Sequence, residues 1–314
     1  MLVDKMKEVQ LVSESKLLKI DPIAKMLSRY DKTVYIKEPL VSSIQLTGTE
    51  PKYVEAAKFF NLLPEMASVQ LTDTSCDITL KNGAKYKLAY YLTSWDDFYS
   101  ELDLSKAYTT TIKLAAGRLS SATLKNLANP VLQCIYVDDA TAVSCNSMVA
   151  CIDGTVTTAV PVILPPDIIS IIEGTEAKLS VIDNSVYMLS IGDGFVYVPI
   201  PQLDYSDAAA TLRNALPTDP QKYPVASLFD SLKRLSSSHE TVVFDGTRVV
   251  ADEDFEPFEF PAANPYFVYN IQNLLSVVQQ TKNMTQTDFA LLFYGDKFLF
   301  MVSPEPIDES VTEE

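Results

Sequence analysis

Residues 165–200 read PPDIISIIEGTEAKLSVIDNSVYMLSIGDGFVYVPI, and this stretch holds one complete structural unit. Pro165-Pro166 marks a helix start, because proline at the first helical position gives up an N–H that has no partner there anyway. The apolar segment DIISII forms the helix, which stops at Gly174. Three strands follow, AKLSVIDN, SVYMLSIGDG and FVYVPI, with the period-two alternation of a half-buried sheet. Asp183-Asn184 and Asp193-Gly194 supply the turns, since these residue types tolerate the left-handed backbone of tight hairpins.

The same order of elements occurs twice more. From Pro51, PKYVEAAKFFNLL places Val54, Ala57, Phe60 and Leu62 or Leu63 along one helical face. SVQLTD, CDITLKNG and AKYKLAYYL follow, with a hairpin signal at Asn82-Gly83. The third copy starts at Pro265 behind Asn264, the expected N-cap, and runs through YFVYNIQNLLSVVQQ, DFALLFYG, the Asp296-Lys297 turn and FLFMVSP. Starts at 51, 166 and 265 lie 115 and 99 residues apart, near one third of the 314-residue chain. Identity between copies is negligible, so chance recurrence of ordinary helix–strand units is the competing reading; the shared order favours repetition. A looser unit precedes each copy: an amphipathic helix at 2–15, 117–129 or 224–238, then strands about an acidic turn (Tyr30-Asp31-Lys32, Asp138-Asp139, Asp245-Gly246). The expected fold is therefore α+β, with three repeated domains at 1–106, 107–218 and 219–314 and an acidic tail at 305–314. Six helices and roughly twenty-four short strands in antiparallel sheets make it up.

Composition narrows the function classes. With 47% hydrophobic residues the chain builds real cores, which excludes disorder for most of it. No apolar run reaches the roughly 18 residues of a membrane span. The opening MLVDKMKEVQLV mixes charge with apolar residues, unlike a secretory signal, so a cytoplasmic location is expected. Cys76, Cys134, Cys145 and Cys151 lack CxxC spacing and read as buried free thiols. One histidine, His239, is too few for a zinc site or a Ser-His-Asp relay. Asp138-Asp139 and Asp252-Glu253-Asp254 have the oxygen ligands a divalent metal needs, but acidic pairs at strand turns are usually solvated. No Gly-rich phosphate loop or nucleophile elbow occurs. No catalysis, cofactor or metal is expected.

Net charge is −16, from 25 Lys and Arg against 41 Asp and Glu. Its distribution is uneven. The six expected helices (2–16, 51–63, 112–129, 166–174, 222–239 and 264–283) together carry +5, leaving −21 on the rest. An acidic exterior repels nucleic acid, whereas a protein that encloses a duplex needs cations only where the duplex passes. The plainer reading is that helix surfaces simply favour Lys and Arg.

Several stretches resemble the β subunit of bacterial DNA polymerase III, the DNA sliding clamp family. FFNLLPEMASVQLTDTSCDITLKNGAKYKLAYYLTSWDDFYSEL (59–102) resembles the end of a first clamp domain. TAVSCNSMVACI (141–152) lies where the family has an ATDGHRLA strand and turn, and residues 162–205 resemble the helix and strands that follow. ANPYFVYNIQNLL (263–275) is similar to a third-domain helix, and FALLFYGDKFLFMVSP (289–304) to the last two strands. Cys145-Asn146-Ser147-Met148 replaces the family's Asp-Gly-His-Arg, and Met301-Val302-Ser303-Pro304 replaces its C-terminal Met-Pro-Met-Arg. These departures fit a divergent, bacteriophage-encoded member.

The resemblance implies a polymerase processivity factor: a head-to-tail homodimeric ring around duplex DNA, opened by a clamp loader and tethering a DNA polymerase. Helices would line the hole, presenting Lys5, Lys7, Lys52, Lys58, Arg118, Lys125, Lys233, Arg234 and Lys282, each of which also reads as an ordinary solvated cation. Subunits would join through edge strands, from about residues 66–90 and from the third domain. A groove for partner peptides would be walled by Ser144, Ser147, Val149, Leu216, Pro217, Leu299, Met301 and Val302. Val149, Leu299 and Met301 equally fit a sheet core. The alternative function is a non-catalytic structural phage protein of tail or capsid, which would not need basic helices.

Overall fold

The computed structural model describes residues 16–30, 35–92, 102–114, 117–123, 129–174, 176–261, 264 and 266–306. Among them are 24 strands and five α-helices. The chain falls into two compact units, residues 1–112 with 176–200, and residues 113–175 with 201–314.

Chain order begins β1 (Leu17–Asp21), β2 (Met26–Tyr30), β3 (Tyr35–Pro39), β4 (Gln45–Thr47), β5 (Lys52–Glu55), α1 (Ala56–Leu62), β6 (Met66–Leu71), β7 (Ser75–Leu80) and β8 (Lys85–Ala89). It continues β9 (Tyr108–Lys113), β10 (Ile135–Val137), β11 (Ala142–Cys145), β12 (Val149–Asp153), β13 (Val162–Leu164), α2 (Pro166–Ile172), β14 (Glu176–Ile182), β15 (Val186–Ile191), β16 (Gly194–Pro199) and α3 (Ser206–Asn214). The last part is β17 (Tyr223–Pro224), α4 (Leu228–Leu235), β18 (Thr241–Phe244), β19 (Arg248–Ala251), β20 (Asp254–Pro257), β21 (Tyr269–Asn270), α5 (Ile271–Val278), β22 (Asn283–Gln286), β23 (Leu291–Tyr294) and β24 (Phe298–Val302).

These strands sort into six sets of four. Three sets share one order, β5-β1-β2-β3, β13-β10-β11-β12 and β21-β18-β19-β20. Three share another, β8-β7-β6-β4, β16-β15-β14-β9 and β24-β23-β22-β17. Two sets of unlike kind fuse through β3 and β16, with Ile36 opposite Val196, into one eight-stranded sheet. Two more fuse through β12 and β24, where Ala150 faces Met301 and Ile152 faces Leu299. The remaining two stay four-stranded, with edges β4 and β8 in one and β20 and β21 in the other; β8 and β20 hold the positions at which the fused sheets join. Most strand pairs in these sheets are antiparallel, and β4 runs parallel to β6.

Turn chemistry fixes the registers. Asp183 and Asn184 both take left-handed φ (48° and 51°), the pair a two-residue hairpin with matching twist demands. Gly83 (φ 85°) does the same between β7 and β8. Burial follows the strand period in β7, where Cys76, Ile78 and Leu80 face the core. All four cysteines are buried free thiols, and burial pushes the Cys76 thiol up to about 12.

The helices differ from expectation in four places. Residues 52–55 are strand, not helix, because Tyr53 and Val54 pair with Lys19 and Leu18 of β1. The helix expected over 112–129 is absent from its described part: the β-branched run Thr109-Thr110-Thr111-Ile112 completes β9, and Gly117 (φ 74°) turns the chain. The third-copy helix starts at Ile271, since Asn270 accepts from both Gln272 N (2.9 Å) and Asn273 N (3.2 Å), while Asn264 caps only a local turn to Tyr266 N. Helix α3 was not expected at all. The helix predicted at 2–16 lies outside the described residues.

Candidate functional site

Helix α3 is pinned to the sheet at both ends. At its start Asp204 Oδ1 accepts from Ser206 N (3.0 Å) and Ser206 Oγ (2.6 Å). Tyr205 is buried, stacks on Tyr136 with ring centroids 5.8 Å apart, and its hydroxyl lies 3.2 Å from Cys145 Sγ. At its end Arg213 donates Nη1 to Asp138 Oδ2 (2.7 Å), and Nε and Nη2 to Thr141 Oγ1 (2.9 and 2.6 Å). Burial works to raise the Asp138 carboxyl, but Arg213 and the N–H groups of Thr141 and Ala140 outweigh it and hold it below the usual range. Asp138, of the acidic pair 138–139, thus serves as a latch for α3.

Against this latched helix the second unit opens a cleft of about 290 Å³. Cys145, Met148, Val149, Ala150 and Met301 line it from the sheet, and Ala208, Thr211 and Leu212 from α3. Asn146 and Ser303 add polar lining. The β11–β12 turn is held open toward it by Asn146, whose Oδ1 accepts from Met148 N and Val149 N, both at 2.7 Å. Ser303 N in turn donates to Met148 O (2.8 Å), which joins the chain after β24 to the same turn. Among the described residues, no charged side chain lines the cleft. Apolar walls with a few uncharged polar groups suit capture of an apolar side chain or short peptide.

Of the eight residues expected to wall a groove, Val149 and Met301 do so. Leu299 and Leu216 lie in the apolar cluster with Met301, Tyr205 and Leu292. Ser144 points into the protein and donates to Leu119 O (2.7 Å), and Val302 is fully buried, because strand alternation sends them to the face opposite Cys145 and Met301. Ser147 is exposed on the turn, and Pro217 is exposed beyond α3. Ala208, Thr211 and Leu212 were missed. Their signal was present: Asp204 and Ser206 as a helix start, then Ala208, Leu212 and Ala215 at helical spacing.

The expected DNA-facing cations are scattered in role. Lys5, Lys7 and Lys125 lie outside the described residues. Lys52, on β5 instead of a helix, pairs with Glu50 and sits over the Tyr90 ring. Lys58 on α1 pairs with Glu55 (2.7 Å), Arg234 on α4 takes Glu256 bidentately (2.7 and 2.6 Å), and Lys282 takes Asp296 through both oxygens (2.7 Å). Lys233 on α4 is exposed, with no ion-pair partner among the described residues. Arg118 sits on a turn, 2.8 Å from the fully buried Asp153 Oδ2 and stacked 3.9 Å from the Phe298 ring centroid.

The free edges complement each other in composition. Strand β8 reads KYKLA, with Lys85, Tyr86 and Lys87 exposed. Strand β20 reads DFEP, with Asp254 and Phe255 exposed. Asp254 also accepts a hydrogen bond from His239 (2.9 Å), and Asp252 lies 3.3 Å from the other ring nitrogen. Asp252 and Asp254 of the acidic triplet are therefore tied to the single histidine. No cluster of three metal-ligating side chains occurs among the described residues.

No protein-family model matches this sequence, and no curated protein sequence does either. Solved structures do match. A Helicobacter pylori β clamp in complex with carprofen aligns over 98% of each chain, with a TM-score of 0.70 at 12% identity. The same clamp bound to a DNA ligase peptide aligns over 98% of each chain with a TM-score of 0.68 at 12% identity. A Pseudomonas aeruginosa DNA polymerase sliding clamp with a ligand covers 94% of this chain and 93% of its own, with a TM-score of 0.69 at 13% identity. The chain has the α+β fold of bacterial DNA polymerase III β clamps. No helix among the described residues is long and apolar enough to cross a membrane.

Proposed function

We propose that this chain is a DNA sliding clamp, a processivity factor that encircles duplex DNA and tethers a polymerase without doing chemistry itself. One observation carries the reading: six four-strand sets of two kinds, of which two unlike pairs are already fused and one unlike pair is left with open edges. An edge of each kind, β8 and β20, remains for a second copy to satisfy. Open edges invite strand pairing, and a head-to-tail contact closes into a ring when its rotation allows. Basic β8 meeting acidic β20 of another copy repeats the β3–β16 and β12–β24 junctions, and two such contacts close a dimer. The three repeats are then domains 1–106, 107–218 and 219–314, and the fused sheets explain why contacts group them into two units.

The cleft beside α3 is the peptide site in this reading, for the polymerase and for a clamp loader. A clamp of the same fold has been solved with a DNA ligase peptide bound. Among the expected DNA-facing residues, Lys233 is the described cation most available for phosphate. Light scattering tests the assembly: twice 34.8 kDa is expected in solution, and a monomer at all concentrations, or an open-ended array, contradicts it. An array would return the structural-protein alternative.

A further inference from the structure

We propose that the cleft selects peptides whose apolar anchor is flanked by basic residues; this rests on the peptide-site reading above. The cleft itself contributes no charge, so discrimination falls to the segments that frame it. Asp207 immediately precedes the lining residue Ala208, and Asp204 lies one helical turn before it; both are exposed. Glu305 follows Ser303 by two residues, where its N–H donates to Val268 O (2.7 Å). None of these three carboxylates has an ion-pair partner among the described residues. Asp204 is held ionised, chiefly by the Ser206 hydroxyl.

The cations of the same segments are already committed. Arg213, the basic residue of α3, is neutralised by Asp138. Lys222 sits over the Tyr294 ring, and Tyr294 pairs with Leu299, two position pairs along the hairpin from Met301. An anchor entering the cleft therefore carries its flanks into a negative field. Exposed carboxylates act additively but weakly, and salt screens them. Selectivity of this origin appears in flank preference and salt dependence, while the anchor supplies the affinity.

The test uses the full-length chain and two labelled peptides with one Leu-Leu core, flanked on both sides by Lys in one and by Glu in the other. Fluorescence anisotropy should show the Lys-flanked peptide binding about tenfold tighter at low salt, with the gap closing near 0.5 M. Asp207→Lys should shrink that gap without weakening the Glu-flanked peptide. Thr211→Trp, which fills the cleft from the exposed face of α3, should abolish binding of both. Equal binding of the two peptides overturns the charge selection and leaves the cleft as the peptide site. Failure of both peptides to bind, or binding indifferent to Thr211→Trp, overturns the peptide-site reading itself.

Discussion

Removing the Arg118 guanidinium leaves the Asp153 carboxylate, 0% exposed, without its counter-ion. Breaking a buried pair from one side costs more than the pair contributes, because the remaining charge stays desolvated. Arg118→Ala should therefore destabilise the chain by about 2–4 kcal/mol in urea unfolding, less than for a fully enclosed pair because Arg118 is partly open to solvent. A change under about 0.5 kcal/mol would instead fit a surface cation. His239 gives a pH signature. Its hydrogen bond to Asp254, aided by the charges of Asp254 and Asp252, raises its pKa above the ordinary 6.5. Stability from this group is fully present below 6.5 and is lost as pH rises through the raised value. Since the chain has one histidine, His239→Gln should flatten the change in Tm between about pH 6 and about pH 8.5. An unchanged slope would separate His239 from that dependence.

Strands were legible where turn chemistry was strong. Asp183-Asn184 and Asn82-Gly83 adopt the left-handed backbone their residue types favour, and the strands around them follow. Helix boundaries were not legible where β-branched runs competed: Val54 and the Thr109–Ile112 run went to the sheet because strand partners were available. The cleft was half legible. Met301 could be placed by strand alternation, whereas Val149 pairs with Val302 and reaches the cleft only through its place at the β11–β12 turn. The opposing wall belongs to α3, whose position depends on the long-range Arg213–Asp138 pair, and no local pattern encodes that. The edges make a prediction at this scale. Phe255→Asp on β20 adds charge to an exposed edge residue, which should give a folded monomer with wild-type far-UV circular dichroism. A dimer of unchanged strength would move the subunit contact off β20.

For the whole molecule, what matters is where positive charge is free. Lys52, Lys58, Arg118, Arg234 and Lys282 are each paired within the chain, so affinity for DNA should be low, with a shallow salt dependence because few phosphates are neutralised. Weak phosphate contact is compatible with a ring, because enclosure holds the duplex topologically. It is not compatible with a protein that grips DNA from outside. Retention on DNA of two topologies tests this most directly: the chain is loaded onto a nicked circle with a clamp loader supplied, challenged with about 0.5 M salt, and the circle is then linearised at one site. Retention on the circle through the salt challenge, followed by rapid loss on linearisation, is the predicted result. Equal retention on circular and linear DNA, or loss from the circle at the salt step, would contradict encirclement.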